Sequence, residues 1–359
     1  MGKLRTKKKK KKVNTSAMIP WRLMVLGSAG VAVLAWSTTA GTTTTPEEEE
    51  EEEGGPPRRI AANLTTQYVT MATAVRTFPH DTSGFTQGLV ASENRLFESD
   101  GLYGKSRVRE VEPSTGRSRL ERPNKKHHFG EGLAAMGDRL VQLTWREKVI
   151  IEYSLDLEVI RTLPMPLPRE GWGAAWDGRA LYLSDGSATV RKFGMDYAPL
   201  GSFEVKDHRL GITVEGLNEL EMVSGELWAN VYAMRRREAS NCIARVNPAT
   251  GDVLGWIDAN SLFRLQSDRV RRRRLDFVFN GIAFLPGTKS DRDDHLYVTG
   301  KMWDNMFDID LLPTNLGPAH VKLHCGLYFP TAAAAAKAAK HSPPHHHHHR
   351  CHDKETNAA

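Results

Sequence analysis

The chain has 359 residues, 40% apolar and 26% charged, which excludes collagen-like, fully disordered and multi-span membrane classes and leaves room for one large domain or two small ones. The net charge of +6 is a weak nucleic-acid signal, because Lys3, Arg5 and Lys7 to Lys12 cluster at one end and the remainder is near neutral. Cys242, Cys325 and Cys351, with no C-x-x-C pair, exclude a disulfide scaffold or zinc module and allow one bridge at most.

Residues 1–17 read as a basic cytosolic N-terminus and residues 18–40 as a signal peptide or signal anchor. Leu23 to Trp36 is an uncharged apolar run of 14 residues, the length of a signal-peptide h-region, and Thr38 and Ala40 suit cleavage. Including Met18 to Trp21, with Arg22 snorkelling, makes a short type II anchor instead, and the sequence leaves the two open. Residues 41–73 are expected to be a disordered acidic stalk, since Glu47 to Glu53 repel one another and bury nothing. Asn63-Leu64-Thr65 is a glycosylation sequon, usable if the segment reaches the lumen.

Residues 74–330 carry short alternating apolar runs separated by Gly, Asp, Asn and Pro, the pattern of hairpins. Aligned against itself, this region shows five copies of one unit, opening at Gln87-Gly88, Glu131-Gly132, Trp172-Gly173, Asn218-Glu219 and Asn280-Gly281. Each opening pair is followed by a strand, a tight turn and a second strand. In the first four copies the second-strand leucines, Leu96, Leu140, Leu181 and Leu227, lie nine residues after the opening residue. In the last copy Leu296 lies sixteen after, with Gly287 to Asp294 as a lengthened loop. Repeats of this size with about four strands each predict an all-β fold, a five-bladed β-propeller. The competing architectures are a β-sandwich, which needs no such regular repeat, and a solenoid. Ser261 to Arg274 reads as one small helical insertion whose arginines form a solvated face rather than a nucleic-acid site. Residues 331–359 are an Ala/His-rich tail, with His345 to His349 read as low complexity rather than a metal site.

In a propeller the innermost strands converge, so equivalent positions of different repeats become neighbours. One register gathers Gln87, Glu131, Trp172, Asn218 and Asn280. Another, five residues after each leucine, gathers Gly101, Trp145, Gly186, Tyr232 and Lys301. Taken singly, Glu131 would be a solvated strand-end carboxylate and the tryptophans core. Together they are a mouth with one carboxylate, one lysine, amides and aromatics, in which a desolvated Glu131 suits acid–base work. Asp100 and Asp185, each in a Ser-Asp-Gly triplet, read as Asx turns rather than metal ligands. No G-x-S-x-G, H-E-x-x-H, P-loop or dinucleotide fingerprint occurs.

The stretches FPHDTSGFTQGLV, LFESDGLYGKSRVREV, FGEGL, GWGAAWDG, LNELE, GELWANVY, CIARVNPATGDVLGWI, FNGIAF and LYVTGKMW, spread from about Val75 to Gly326, closely resemble the plant-and-bacterial type of glutaminyl-peptide cyclotransferase. The resemblance implies a five-bladed propeller that cyclises N-terminal glutamine of peptides and proteins to pyroglutamate with loss of ammonia. By motif it assigns acid–base catalysis to Glu131, and substrate binding to Phe85, Gln87, Phe129, Trp145, Trp172, Asn218 and Lys301. Tyr232 departs from the pattern, standing after Trp228-Ala229-Asn230 where the family usually has tryptophan; it keeps an aromatic wall and adds a hydroxyl. No cofactor is implied for the chemistry. Family members hold a structural metal in the central channel, for which this sequence assigns no ligands. The expected partners are peptides with N-terminal Gln, with no nucleic acid and with the membrane only through an uncleaved N-terminal segment; the chain is expected to be a monomer in the secretory pathway. Whether Cys242 and Cys325 pair is left open. The alternative function is a non-catalytic propeller that binds peptides at the same mouth.

Overall fold

The computed structural model describes residues 58–60, 67–232, 239–288 and 293–327. The basic terminus, apolar run, acidic run, sequon and His-rich tail lie outside the described residues.

The strands follow in chain order. β1 (Val69–Pro79) precedes β2 (Thr86–Ser92), β3 (Arg95–Asp100), β4 (Arg107–Glu112) and β5 (Arg117–Pro123). Next come β6 (Gly130–Met136), β7 (Arg139–Thr144), β8 (Val149–Ser154) and β9 (Val159–Pro164), then β10 (Ala174–Trp176), β11 (Leu181–Leu183), β12 (Thr189–Phe193) and β13 (Pro199–Glu204). A small ribbon, β14 (Lys206–Asp207) and β15 (Ile212–Thr213), leads to β16 (Leu217–Val223), β17 (Glu226–Val231), β18 (Cys242–Val246) and β19 (Val253–Asp258). Helices α1 (Asn260–Arg264) and α2 (Asp268–Arg272) precede β20 (Phe279–Leu285), β21 (His295–Gly300) and β22 (Asn305–Pro313), and α3 (Pro318–His324) follows.

Turn chemistry sets the pairing. Ser92 faces Arg95 across the β2–β3 turn, and Val223 faces Glu226 across the β16–β17 turn. The residues between, Glu93-Asn94 and Ser224-Gly225, all take positive φ, the geometry that lets a two-residue turn match strand twist. Three antiparallel sheets of four strands result, β2–β5, β6–β9 and β10–β13. An eight-stranded sheet in the order β16-β17-β18-β19-β1-β22-β21-β20 joins two more such units. Its seam is the short parallel pairing of β1 with β19, while β1 runs antiparallel to β22 and so supplies the outer strand of the last unit.

Burial falls from the first strand of a unit to the fourth: β2 is buried over its first five residues, whereas β5, β9 and β13 are largely exposed. The first strands β2, β6, β10 and β16 pack each against the next, and β20 packs on both β16 and β2. The arrangement is propeller-like. Apolar clusters fill the wedges between adjacent sheets, as where Val141, Leu143 and Ile150 meet Ala174, Leu181 and Leu183.

Three expectations are corrected. Strand begins at Val69 rather than 74, because the N-terminal residues find a partner in the C-terminal β22. Part of the expected stalk is also anchored: Ile60 is buried, its N–H donates to Asp294 at 3.0 Å, and Arg58 pairs with Asp308 at 2.7 Å. The single predicted helix over 261–274 is two short helices, broken where buried Gln266 accepts from the N–H groups of Asp304 and Asn305 through its side chain. α3 was not expected at all. It carries Cys325 to Cys242, and the two are joined in a disulfide across 83 residues of sequence.

Candidate active site

The repeat owes its glycines to the closeness of the first strands. A Cβ on Gly173 would lie 1.9 Å from the Asn218 carbonyl oxygen, so only glycine lets neighbouring strands approach there. Cross-strand bonds set the opening residues side by side: Gly132 N–H donates to Trp172 O at 2.6 Å, and the hydroxyls of Ser99 and Ser184 donate to the carbonyls of Glu131 and Asn218 at 2.6 and 2.8 Å.

Glu131 is 5% exposed and accepts from Gln87 Nε2 at 3.1 Å. Burial pushes its pKa well above the usual carboxylate range; Lys301 acts against the rise, and Glu170 and Glu147 add to it. Lys301 is likewise buried, and burial lowers it to about 8 against the pull of Glu131. Its ammonium lies 5.0 Å from the ring centre of Phe85 and 5.4 Å from that of Tyr232, within cation–π range.

The aromatics form two groups, bridged by Lys301 and Glu170. Phe129 meets Phe85 at 6.2 Å, Trp145 at 5.4 Å and Tyr103 at 5.4 Å, and Trp172 meets Tyr232 at 6.0 Å. Gly101 and Gly186, the two glycines of the second register, are the seats of these rings: a Cβ would sit 2.4 Å from Phe129 and 2.7 Å from Trp172. Two buried carbonyl oxygens, Gln87 Oε1 and Asn218 Oδ1, have no hydrogen-bond partner, which leaves acceptors waiting for N–H donors.

The structure therefore brings Phe85, Gln87, Phe129, Glu131, Trp145, Trp172, Tyr232 and Lys301 together through direct contacts or a shared neighbour. Asn218 is buried beside them at the same register. Asn280 shares that register but is turned to the backbone, donating to Thr86 O at 3.1 Å. Of the two predicted Asx turns, Asp185 accepts from Ser187 N–H at 3.1 Å, whereas Asp100 is held by Arg107 at 2.8 Å.

Three residues at the mouth escape the register. Glu170 accepts from the indoles of Trp145 and Trp172, and Glu147 accepts from Tyr103 OH at 2.8 Å and Phe129 N–H at 3.2 Å. All lie in loops at no repeated offset, and only the E-G-W-G string around Trp172 marks Glu170 in the sequence. Deeper along β16, Glu219 and Glu221 are buried carboxyls; one oxygen of Glu219 is unpartnered, and burial raises Glu221 to about 8. Two carboxyls make an incomplete cation cage. No cluster of three His, Cys, Asp or Glu side chains suited to a metal occurs among the described residues.

The sequence model described as Glutamine cyclotransferase matches residues 38–311, starting before Val75 and stopping short of Gly326. A glutaminyl-peptide cyclotransferase of Arabidopsis thaliana is 39% identical over 241 residues, 66% of this chain and 70% of that protein. The crystal structure of Myxococcus xanthus glutaminyl cyclase aligns with a TM-score of 0.60 at 31% identity, covering 69% of this chain and 100% of that one.

Proposed function

Because the chain belongs to the glutamine cyclotransferase family, it is a glutaminyl-peptide cyclotransferase, and we propose that Glu131 is the acid–base group of its reaction. The observation that carries this assignment is the burial of the Glu131 carboxyl, which accepts from Gln87 and feels the Lys301 ammonium, two residues after Phe129, whose ring meets Trp145.

The reaction is an intramolecular aminolysis. The neutral α-amine of an N-terminal glutamine attacks its own γ-carboxamide carbon, a C–N bond forms, and the carbonyl electrons move to oxygen. Glu131 takes the proton that the amine loses and delivers it to the departing nitrogen as the C–N bond to the carboxamide nitrogen breaks and ammonia leaves. Lys301, as ammonium, stabilises the oxyanion. Gln87 uses its N–H on Glu131, so its free carbonyl oxygen, like that of Asn218, suits the carboxamide NH2. Phe85, Phe129, Trp145, Trp172 and Tyr232 hold the folded glutamine side chain and exclude water. Both reacting groups sit in one molecule, so positioning supplies much of the rate, and the chemistry asks for no cofactor.

We read the four-stranded units as five blades around one axis, supported by the cyclic packing of β2, β6, β10, β16 and β20. The Cys242–Cys325 bridge suits an oxidising compartment, and we place the domain in the secretory lumen or outside the cell, secreted or held by residues 18–40. The test is stoichiometry. A Gln-initiated peptide should yield one ammonia per pyroglutamate, and the same peptide acetylated on its α-amine should yield neither. Tight binding of both peptides without ammonia would instead make this a peptide-binding propeller.

A further inference from the structure

Trp145 leaves the end of β7, and Trp172 precedes β10; Gly171 N–H donates to Trp145 O at 2.9 Å and ties the two backbones, but no backbone bond fixes the direction of one indole against the other. One side chain does. A single oxygen of Glu170, Oε2, accepts from Trp145 Nε1 at 2.7 Å and from Trp172 Nε1 at 3.2 Å. The other oxygen accepts from Arg146 at 3.0 Å, and the Arg146 guanidinium lies 3.7 Å from the ring centre of Trp145. Burial works to raise Glu170, but the bonds from Arg146 and both indoles outweigh it and keep the carboxylate ionised. The assembly is closed: carboxylate, two indole donors, and a cation that both pairs with the carboxylate and covers one ring.

We propose that Glu170 is a positioning residue for the cyclisation, clamping the Trp145 and Trp172 indoles across two sheets so that they wall the substrate's glutamine side chain. The inference rests on the assignment of that wall to substrate binding. A charge-assisted hydrogen bond from a half-buried indole is stronger than a neutral one, and a ring free to turn would leave the pocket wider. Glu170→Gln retains a carbonyl acceptor for one indole and loses the charge. Glu170→Ala loses both.

A second readout comes from charge. Glu131 is faced by Lys301, Glu170 and Glu147, with the neutral Tyr103 hydroxyl beside Glu147, and Arg146 sits behind Glu170. Removing the negative charge of Glu170 removes one of the influences that hold Glu131 up, so the acid limb of kcat/KM moves to lower pH.

The experiment measures peptide affinity where no turnover occurs. In a Glu131→Gln background, the Kd of a Gln-initiated peptide is compared with Glu170 intact, as Gln and as Ala, with thermal melting to confirm that each variant folds. The expected result is a loss of about tenfold for Ala and about threefold or less for Gln, while in the Glu131 background Glu170→Gln shifts the acid limb downward. Folded variants with unchanged Kd and an unchanged limb would overturn the inference. Failure of the cyclisation reading looks different, because the wild-type chain would then release no ammonia whatever the state of Glu170.

Discussion

Glu131 and Lys301 are opposite groups whose burial brings their pKa values toward each other, the carboxyl upward and the ammonium down to about 8. The proposed mechanism needs Glu131 ionised and Lys301 protonated, so kcat/KM should trace a bell with a displaced acid limb and an alkaline limb near 8. The substrate's own amine titrates in the same region, at about 7.7–8.0, so the variant comparison carries the test. Lys301 pulls Glu131 down, so Lys301→Met should lower kcat and move the acid limb to higher pH, opposite in sign to Glu170→Gln. A limb that stays in place would disconnect the two groups. Glu221 offers a stability test. Its folded pKa of about 8 lies above the ordinary value of 4.5. Below pH 4.5 both states are protonated, and as pH rises to 8 only the unfolded chain ionises, so stability falls across that window. At about 1.4 kcal/mol per unit the loss is at most about 5 kcal/mol. Glu221→Gln should raise Tm at pH 8 and change it little at pH 4; equal shifts at both would refute the assignment.

The inner strands were legible because one offset recurs and turn residues mark each hairpin, and two registers of that repeat gathered Glu131 with Trp172 and Trp145 with Lys301. Register reports position, not side-chain direction, so Asn280 was drawn in although it bonds the Thr86 carbonyl. Glu170 stayed hidden because a loop residue that bridges two sheets has no repeat to betray it. β1 was missed at its start because its partners, β22 and β19, are far away in sequence. Two substitutions test the elements themselves. Gly173→Ala forces a Cβ into the Asn218 carbonyl and should lower kcat with stability, by moving Asn218 and Trp172. Arg109 on β4 is fully buried, with Glu98 at 2.7 Å, and Glu98 also receives His80 at 3.0 Å and Thr86 at 2.6 Å. Arg109→Met leaves Glu98 short of a cation and should cost about 3–5 kcal/mol in chemical denaturation; a change below about 1 kcal/mol would show that His80 suffices.

At the scale of the whole molecule, closure depends on the ends of the chain. β1 completes the last unit, and the bridge from Cys242 on β18 to Cys325 pins α3 near the C-terminal end of the described chain. Pairing of these cysteines could not be read from spacing, since 83 residues separate them and only the fold brings their Cα atoms to 5.4 Å. A loop of that length constrains the unfolded chain by roughly 4–5 kcal/mol. Reduction should therefore lower Tm measurably yet leave ammonia release at 25 °C intact, because neither cysteine touches the mouth. The proposed chemistry turns on Glu131. Its most direct test is single-turnover ammonia release from a saturating Gln-initiated peptide by wild type and Glu131→Gln. A loss of about 10²–10⁴ in rate with peptide affinity preserved is the predicted result. Release by Glu131→Gln at a rate near wild type would contradict it and move the proton transfer to another group.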